Sequence, residues 1–168
     1  MIIAISGSVG TGKTTIAKQL AKKLSNYEVV HLNDWAIEFR TNEVLELQTF
    51  DFNLDGLINK VNQYISNNLN KNIIFEGHFA HYINPELVDF LFIISRDLDK
   101  LKHEYKIRGY NKAKIDDNLE VESFNLCFYE GLEERYIEEK QIFCIDNNSN
   151  IEASVLEILG LIDTVSKK

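Results

Sequence analysis

Arginine is scarce in this chain. Only Arg40, Arg96, Arg108 and Arg135 occur in 168 residues, and arginine is the usual clamp for phosphate groups. Basic residues are also in the minority, 18 against 26 acidic ones, for a net charge of −8. That balance excludes a broad basic face for direct binding of nucleic acid or an anionic membrane. It leaves open RNA reached through a basic protein partner. One proline and eight glycines exclude a collagen-like chain. No apolar run approaches the roughly 20 residues of a membrane span. Met1 to Ile5 lacks a basic leader region and runs straight into a glycine-rich loop, so it is not read as a signal peptide. The two cysteines, Cys127 and Cys144, form no CxxC pair, and apolar neighbours mark both as buried, reduced thiols of a cytoplasmic protein. Internal repeats, low-complexity segments and linkers are missing too. What remains is 45% hydrophobic and 26% charged, and it fits one domain, residues 1–168.

The apolar pattern alternates between strands and helices. Ile2 to Ser6, Tyr27 to Leu32, Asn72 to Glu76, Val88 to Ser95 and Gln141 to Ile145 read as strands. Between them, apolar residues recur at helical spacing over Lys13 to Leu24, Leu54 to Leu69, Asp97 to Ile107 and Ile151 to Val165. Asn33 or Asp34 caps a further helix expected to run to about Glu43. The charged stretch from Asn111 to about Glu139 reads as two helices, with Phe124, Phe128 and Tyr129 on a core-facing stripe. This alternation predicts an α/β fold with a five-stranded parallel sheet covered on both faces.

The sharpest local signal is Gly7-Ser8-Val9-Gly10-Thr11-Gly12-Lys13-Thr14, a GxxxxGK followed by threonine. It follows an apolar strand and precedes an amphipathic helix, where backbone N–H groups and a helix start can hold phosphate. Gly7, Val9, Gly10, Thr11, Gly12, Lys13, Thr14 and Thr15 are therefore expected to bind a nucleoside triphosphate. Lys13 is expected at the β and γ phosphates, and the Thr14 hydroxyl on Mg²⁺. No guanine-specifying NKxD follows, which argues against a GTPase switch and for a compact nucleotide or metabolite kinase. Glu76 ends the third strand, where a carboxylate serves Mg²⁺ or acts as a base. His78, two residues on, is placed to orient a water or hydroxyl, and His81 reads as structural. A zinc site from Glu76, His78 and His81 lacks a fourth ligand and is set aside. Arg108, Lys112 and Lys114 form a basic cluster read as a lid over the phosphates.

With these residues in place, the chain resembles the adenylate kinase isoenzyme 6 family, also called CINAP-type NTPases. Four segments carry the resemblance: GSVGTGKTT at 7–15, VVHLNDWA at 29–36, FEGHFAH at 75–81 and RGYNKAKIDDNLEVE at 108–122. It implies a three-layer nucleoside monophosphate kinase core with strand order 2-3-1-4-5, monophosphate-side helices over about 33–70 and a lid over about 108–139. It implies Mg²⁺-dependent adenylate kinase activity on ATP and AMP, with ATPase activity. It also implies small-subunit ribosome maturation through a basic ribosomal protein of the uS11 type. By position, it places Asn33 and Asp34 on the monophosphate side, Arg108 at the lid entrance, Lys114, Asn118 and Glu122 along the lid, and Asn147 and Asn148 near the adenine base. The chain departs from the family where Ile37, Ser95 and Glu104 replace basic residues, with Arg40 and Arg96 as displaced substitutes. Those departures leave two alternatives: a nucleotide-gated assembly ATPase with little kinase activity, or a small-metabolite kinase. The acidic stretch Glu130, Glu133, Glu134, Glu138 and Glu139 suits a basic partner.

Overall fold

A computed structural model describes residues 1–133 and 142–166. Five parallel strands form the central sheet: β1 (Ile2–Ser6), β2 (Tyr27–His31), β5 (Asn72–Glu76), β6 (Phe90–Ser95) and β7 (Ile142–Asp146). Their order is β2-β5-β1-β6-β7. Counting only these five strands, this is the expected 2-3-1-4-5. β1 is buried along its whole length, as a central parallel strand flanked by helices requires.

Two apolar layers sandwich the sheet. On one face, Ile16, Ala17 and Leu20 of α1 (Lys13–Leu24) pack with Val155, Ile158 and Ile162 of α7 (Ile151–Ser166). On the other, Leu57, Val61 and Ile65 of α3 (Leu54–Ser66) meet Phe75, Leu91 and Cys127. The remaining helices are α2 (Leu32–Ala36), α4 (Leu98–Ile107), α5 (Lys112–Ser123) and α6 (Leu126–Glu133). Side chains cap the starts of several helices: Asn53 on α3, Asp97 on α4, Asn111 on α5 and Asn150 on α7. Among the described residues no helix is long and apolar enough to cross a membrane.

The structure corrects several expectations. The helix expected to reach Glu43 ends at Ala36, followed by a 3-10 turn over Ile37–Phe39. Arg40–Val44 (β3) and Thr49–Phe52 (β4) then form an antiparallel hairpin on the monophosphate side. Gln48, in the left-handed region at φ 47°, turns the chain between them. Helical spacing lost here because the alternation in Thr49-Phe50-Asp51-Phe52 finds a partner strand. Phe52 then rests on Phe79, ring centroids 4.2 Å apart. Phe124 and Tyr129, expected in the core, are exposed, and only Phe128 packs inward. Cys127 is buried, but Cys144 is exposed on β7, because that strand forms the sheet edge. The lid expectation beyond Glu133, with Glu134, Arg135, Glu138 and Glu139, lies outside the described residues.

Candidate active site at the end of the parallel sheet

The C-terminal ends of β1, β2 and β5 converge, as ligand sites in open parallel sheets do. From β1 the chain enters the glycine loop. Gly7 has φ +134°, and a Cβ there would overlap the Ile94 carbonyl oxygen on β6, so only glycine fits. Each carbonyl from Gly7 to Gly12 accepts a hydrogen bond. Lys13 Nζ donates to Gly7 O (2.8 Å) and Ser8 O (2.6 Å). Tyr105 Oη donates to Val9 O (2.5 Å), an Arg96 guanidinium N–H to Gly10 O (3.1 Å), and Asn147 Nδ2 to Thr11 O (2.7 Å). The Ile16 N–H donates to Gly12 O, starting α1. With the carbonyls so held, the loop amides beyond Gly7 can face an anion.

Burial pushes the Lys13 ammonium down from 10.5 to about 8, against the opposing pull of Glu76. At neutral pH it stays largely charged, a cation held in a dry site. Arg96 Nε is buried with no partner among the described residues, an orphan donor in the wall of the same cleft. These donors suit a polyphosphate.

Glu76 is buried at the end of β5. Its Oε1 accepts from the Thr14 hydroxyl (3.0 Å) and from His31 Nδ1 (2.5 Å). His31 was not singled out from the sequence. Its signal is the register of β2 on β5, which sets His31 directly beside Glu76. Thr14 and Glu76 offer hard oxygens beside the phosphate loop, a donor set that fits Mg²⁺ carried with a nucleotide. His78 is pushed down to about 3 by burial and by nearby Lys13, so its ring is neutral at physiological pH.

Two cavities open here. The first, about 480 Å³, is lined by Gly10, Gly12, Lys13, Thr14, Thr15 and Glu76, and by Asn147 and Asn148 at its far rim. The second, about 540 Å³, lies under the hairpin and α5, lined by Phe50, Phe52, Phe79, Tyr110 and Lys114. They meet at Val9, Asn33, His78 and Arg108. Arg40 lines a smaller extension of the second cavity and stacks on Phe50, 4.4 Å from the ring centroid. Asp34, beside Asn33 in α2, is exposed.

The expected basic lid cluster does not form as a unit. Lys112 pairs outward with Asp116 (2.5 Å), and Lys114 donates to Gln48 O on the hairpin (2.8 Å). Arg108 lines both cavities, its Nε on Glu104 (2.9 Å). The helical spacing of α5 explains the split, since Lys112 and Lys114 are two residues apart and face different ways. Asn118 donates to the Lys114 carbonyl within α5 (2.7 Å). Glu122 accepts from the Arg96 N–H (2.7 Å), which ties α5 to the end of β6. Asn148 braces Asp97 and Lys100, and its own N–H goes to Asp146.

Residues 3–125 match the model of a family described as an AAA domain. A protein of Thermococcus kodakarensis named "putative adenylate kinase" is 37% identical over 96% of this chain and 85% of its own length. Another, from Pyrococcus abyssi, is 34% identical over 100% and 87%. This chain belongs to that adenylate kinase family. Solved structures share its fold at low identity. A sugar kinase from a Janibacter species superposes with a TM-score of 0.68 at 12% identity, covering 96% of this chain and 94% of that one. The Candida albicans thymidylate kinase gives 0.59 at 16%, covering 98% and 92%. The family member described here is a P-loop kinase-like phosphotransferase.

Proposed function

We propose that this chain is an adenylate kinase of the isoenzyme 6 type, transferring the γ-phosphoryl group of ATP to AMP to give two ADP. The observation that carries this reading is the pair of cavities meeting at Asn33, His78 and Arg108. One cavity is floored by the phosphate loop, and the other is walled by aromatic side chains able to take a base. In the reaction, the bond from the γ phosphorus to the β-phosphate oxygen breaks. A bond from that phosphorus to an AMP phosphate oxygen forms.

The loop amides and Lys13 hold the β and γ phosphates and stabilise charge on the departing ADP. Arg108, at the seam, stabilises the transferring group, and Arg96 supplies its orphan donor from the wall. Thr14 and Glu76 hold Mg²⁺, which neutralises phosphate charge when bound. His31 keeps the Glu76 carboxylate aimed. Neutral His78 and Asn33 orient the acceptor oxygen, or a water when AMP is absent, which gives ATP hydrolysis. Arg40 and Asp34 flank the monophosphate side.

The test is ADP formation from ATP and AMP by the purified protein, with Lys13→Ala as control. Normal ATP binding without AMP-dependent turnover would refute the reading. A double change of Glu76 and His78 to Ala is expected to slow hydrolysis far more than it weakens ATP binding. Steady single-turnover hydrolysis with lost affinity would remove their assigned roles.

A second reading, a nucleotide-gated assembly ATPase for a basic uS11-type ribosomal protein in the cytoplasm, has its own support. Arg96 and Arg108 are partly engaged by Gly10 and Glu104, which favours slow transfer. Exposed Phe124 and Tyr129 stand near Glu130 and Glu133 in a chain of net charge −8. ATP-dependent pull-down of that protein tests it, and capture that ignores nucleotide, or none, sinks it.

A further inference from the structure

Outside the phosphate machinery, the buried wall of the second cavity holds a cluster of three potential ligands. A His81 ring nitrogen, Cys127 Sγ and a Glu130 carboxylate oxygen all lie within 4.8 Å of one another. They come from two elements, the 3-10 turn Ala80–Tyr82 after β5 and helix α6. Gly131 permits the close approach. A Cβ there would already touch Leu91 and Ile142 at 3.3 Å and His81 Cβ at 3.6 Å.

Polar contacts at both ring nitrogens hold His81 in place. The Ser6 hydroxyl lies 2.7 Å from His81 Nδ1 and 3.3 Å from the His78 carbonyl oxygen. That fixes the ring, as the outer partner of a metal-bound histidine does. His81 Nε2 then faces Glu130 Oε2 at 3.0 Å. Without metal a proton on Nε2 bridges this pair, and a metal ion would take that proton's place. Cys127 completes the third side. Burial pushes its thiol up to about 11, with the Gly7 N–H pulling weakly the other way, so a bound ion would have to displace the thiol proton.

We propose that His81, Cys127 and Glu130 form a site for Zn²⁺ or a similar soft divalent cation, its fourth position open to the second cavity. The donor set, one imidazole, one thiolate and one carboxylate, suits zinc and not Mg²⁺. Tetrahedral zinc places such ligands about 3.3–3.6 Å apart. Closing from the observed spacing needs a small shift, and Glu130, with 38% of its side chain exposed, is free to make it. All three residues line the second cavity, which provides entry. The bound ion ties α6 to the turn after β5, next to the place where the acceptor is proposed to sit. The site itself does not depend on what that acceptor is.

Metal-free full-length protein is titrated with Zn²⁺ in competition with a chromogenic chelator, and with Co²⁺ as a spectroscopic probe, both without nucleotide. One equivalent is expected, with tetrahedral Co²⁺ bands and a thiolate-to-cobalt charge-transfer band. Cys127→Ser abolishes that band and weakens Zn²⁺ at least ~10-fold, the loss that removing even an outer-shell partner causes. Glu130→Gln, at a partly exposed position that preserves the fold, weakens it similarly. Cys144→Ser changes neither. The proposal is overturned if no sulfur band appears. It is equally overturned if binding survives in Cys127→Ser and Glu130→Gln but disappears in His31→Ala, which would put the ion at Glu76.

Discussion

Every backbone carbonyl from Gly7 to Gly12 has a donor, supplied by side chains of α1, α4 and the ends of β6 and β7, and by one helix amide. The wall of the second cavity is held more sparingly. The β3–β4 hairpin meets α5 through the Asn111 N–H on Gln48 Oε1 (3.0 Å), Asn111 Nδ2 on Glu46 O (2.8 Å) and Lys114 Nζ on Gln48 O (2.8 Å). All of these bonds are exposed, and β3 is exposed along most of its length. The donor side is thus fixed where its chemistry is generic, since any nucleoside triphosphate presents the same phosphates. The acceptor side is held by a few breakable contacts where identity must be judged and where closure is useful.

The contrast breaks most strongly at Lys13. Lys13→Ala is expected to lower AMP-dependent ADP formation by about 10³-fold, the scale of losing a preorganised electrostatic partner. A fall below tenfold in a steady-state assay would move the charge elsewhere. Next comes a pair of glycines with similar backbones and different surroundings. Gly7→Ala forces a Cβ into the Ile94 carbonyl and is expected to cost about 3 kcal/mol in urea unfolding. Gly109→Ala, at φ +71° with open space around it, is expected to cost about 1 kcal/mol. Equal costs would mean the phosphate loop is no more constrained than the lid entrance.

Lys13 also gives a pH dependence. Its folded value near 8 lies below the unfolded 10.5, so between these values the unfolded chain binds more protons at this position. Stability contributed by Lys13 therefore rises with pH across that window. The difference in unfolding free energy between wild type and Lys13→Met, without nucleotide, is expected to grow by about 2–3 kcal/mol from pH 8 to 10.5. A flat difference would show that the ammonium is solvated. The smallest effect belongs to the acceptor side. Lys114→Ala removes one exposed contact to the hairpin and is expected to raise KM for AMP a few-fold with little change in kcat. A large drop in kcat with unchanged KM would place Lys114 on the transferring phosphate instead.

The donor side was legible in the sequence because its signals are local. Strand, glycine loop and helix follow one another within residues 2–24, and the alternation of elements gave the parallel sheet, while its strand order came from the family resemblance. The hairpin was not legible, because its pairing depends on Gln48 taking a left-handed turn in a run rich in Glu and Leu. His31 was hidden for a similar reason. Its partner Glu76 is 45 residues away and becomes a neighbour only through sheet order. Lys112 and Lys114 looked like one cluster in one dimension, and the helix sent them to different partners.

The bond from Asn147 to Thr11 spans 136 residues, the one from Tyr105 to Val9 spans 96, and the one from Arg96 to Gly10 spans 86. A chain emerging from the ribosome exposes its phosphate-loop sequence well before the residues that brace it. The brackets that fix the loop's shape are made later, at about 5–20 residues per second. A nascent chain halted before β7 therefore carries the complete motif without a finished receptor for phosphate. Nucleotide can thus discriminate between a molecule that has made β7 and one that has not, and the phosphate loop depends for its function on residues made long after it.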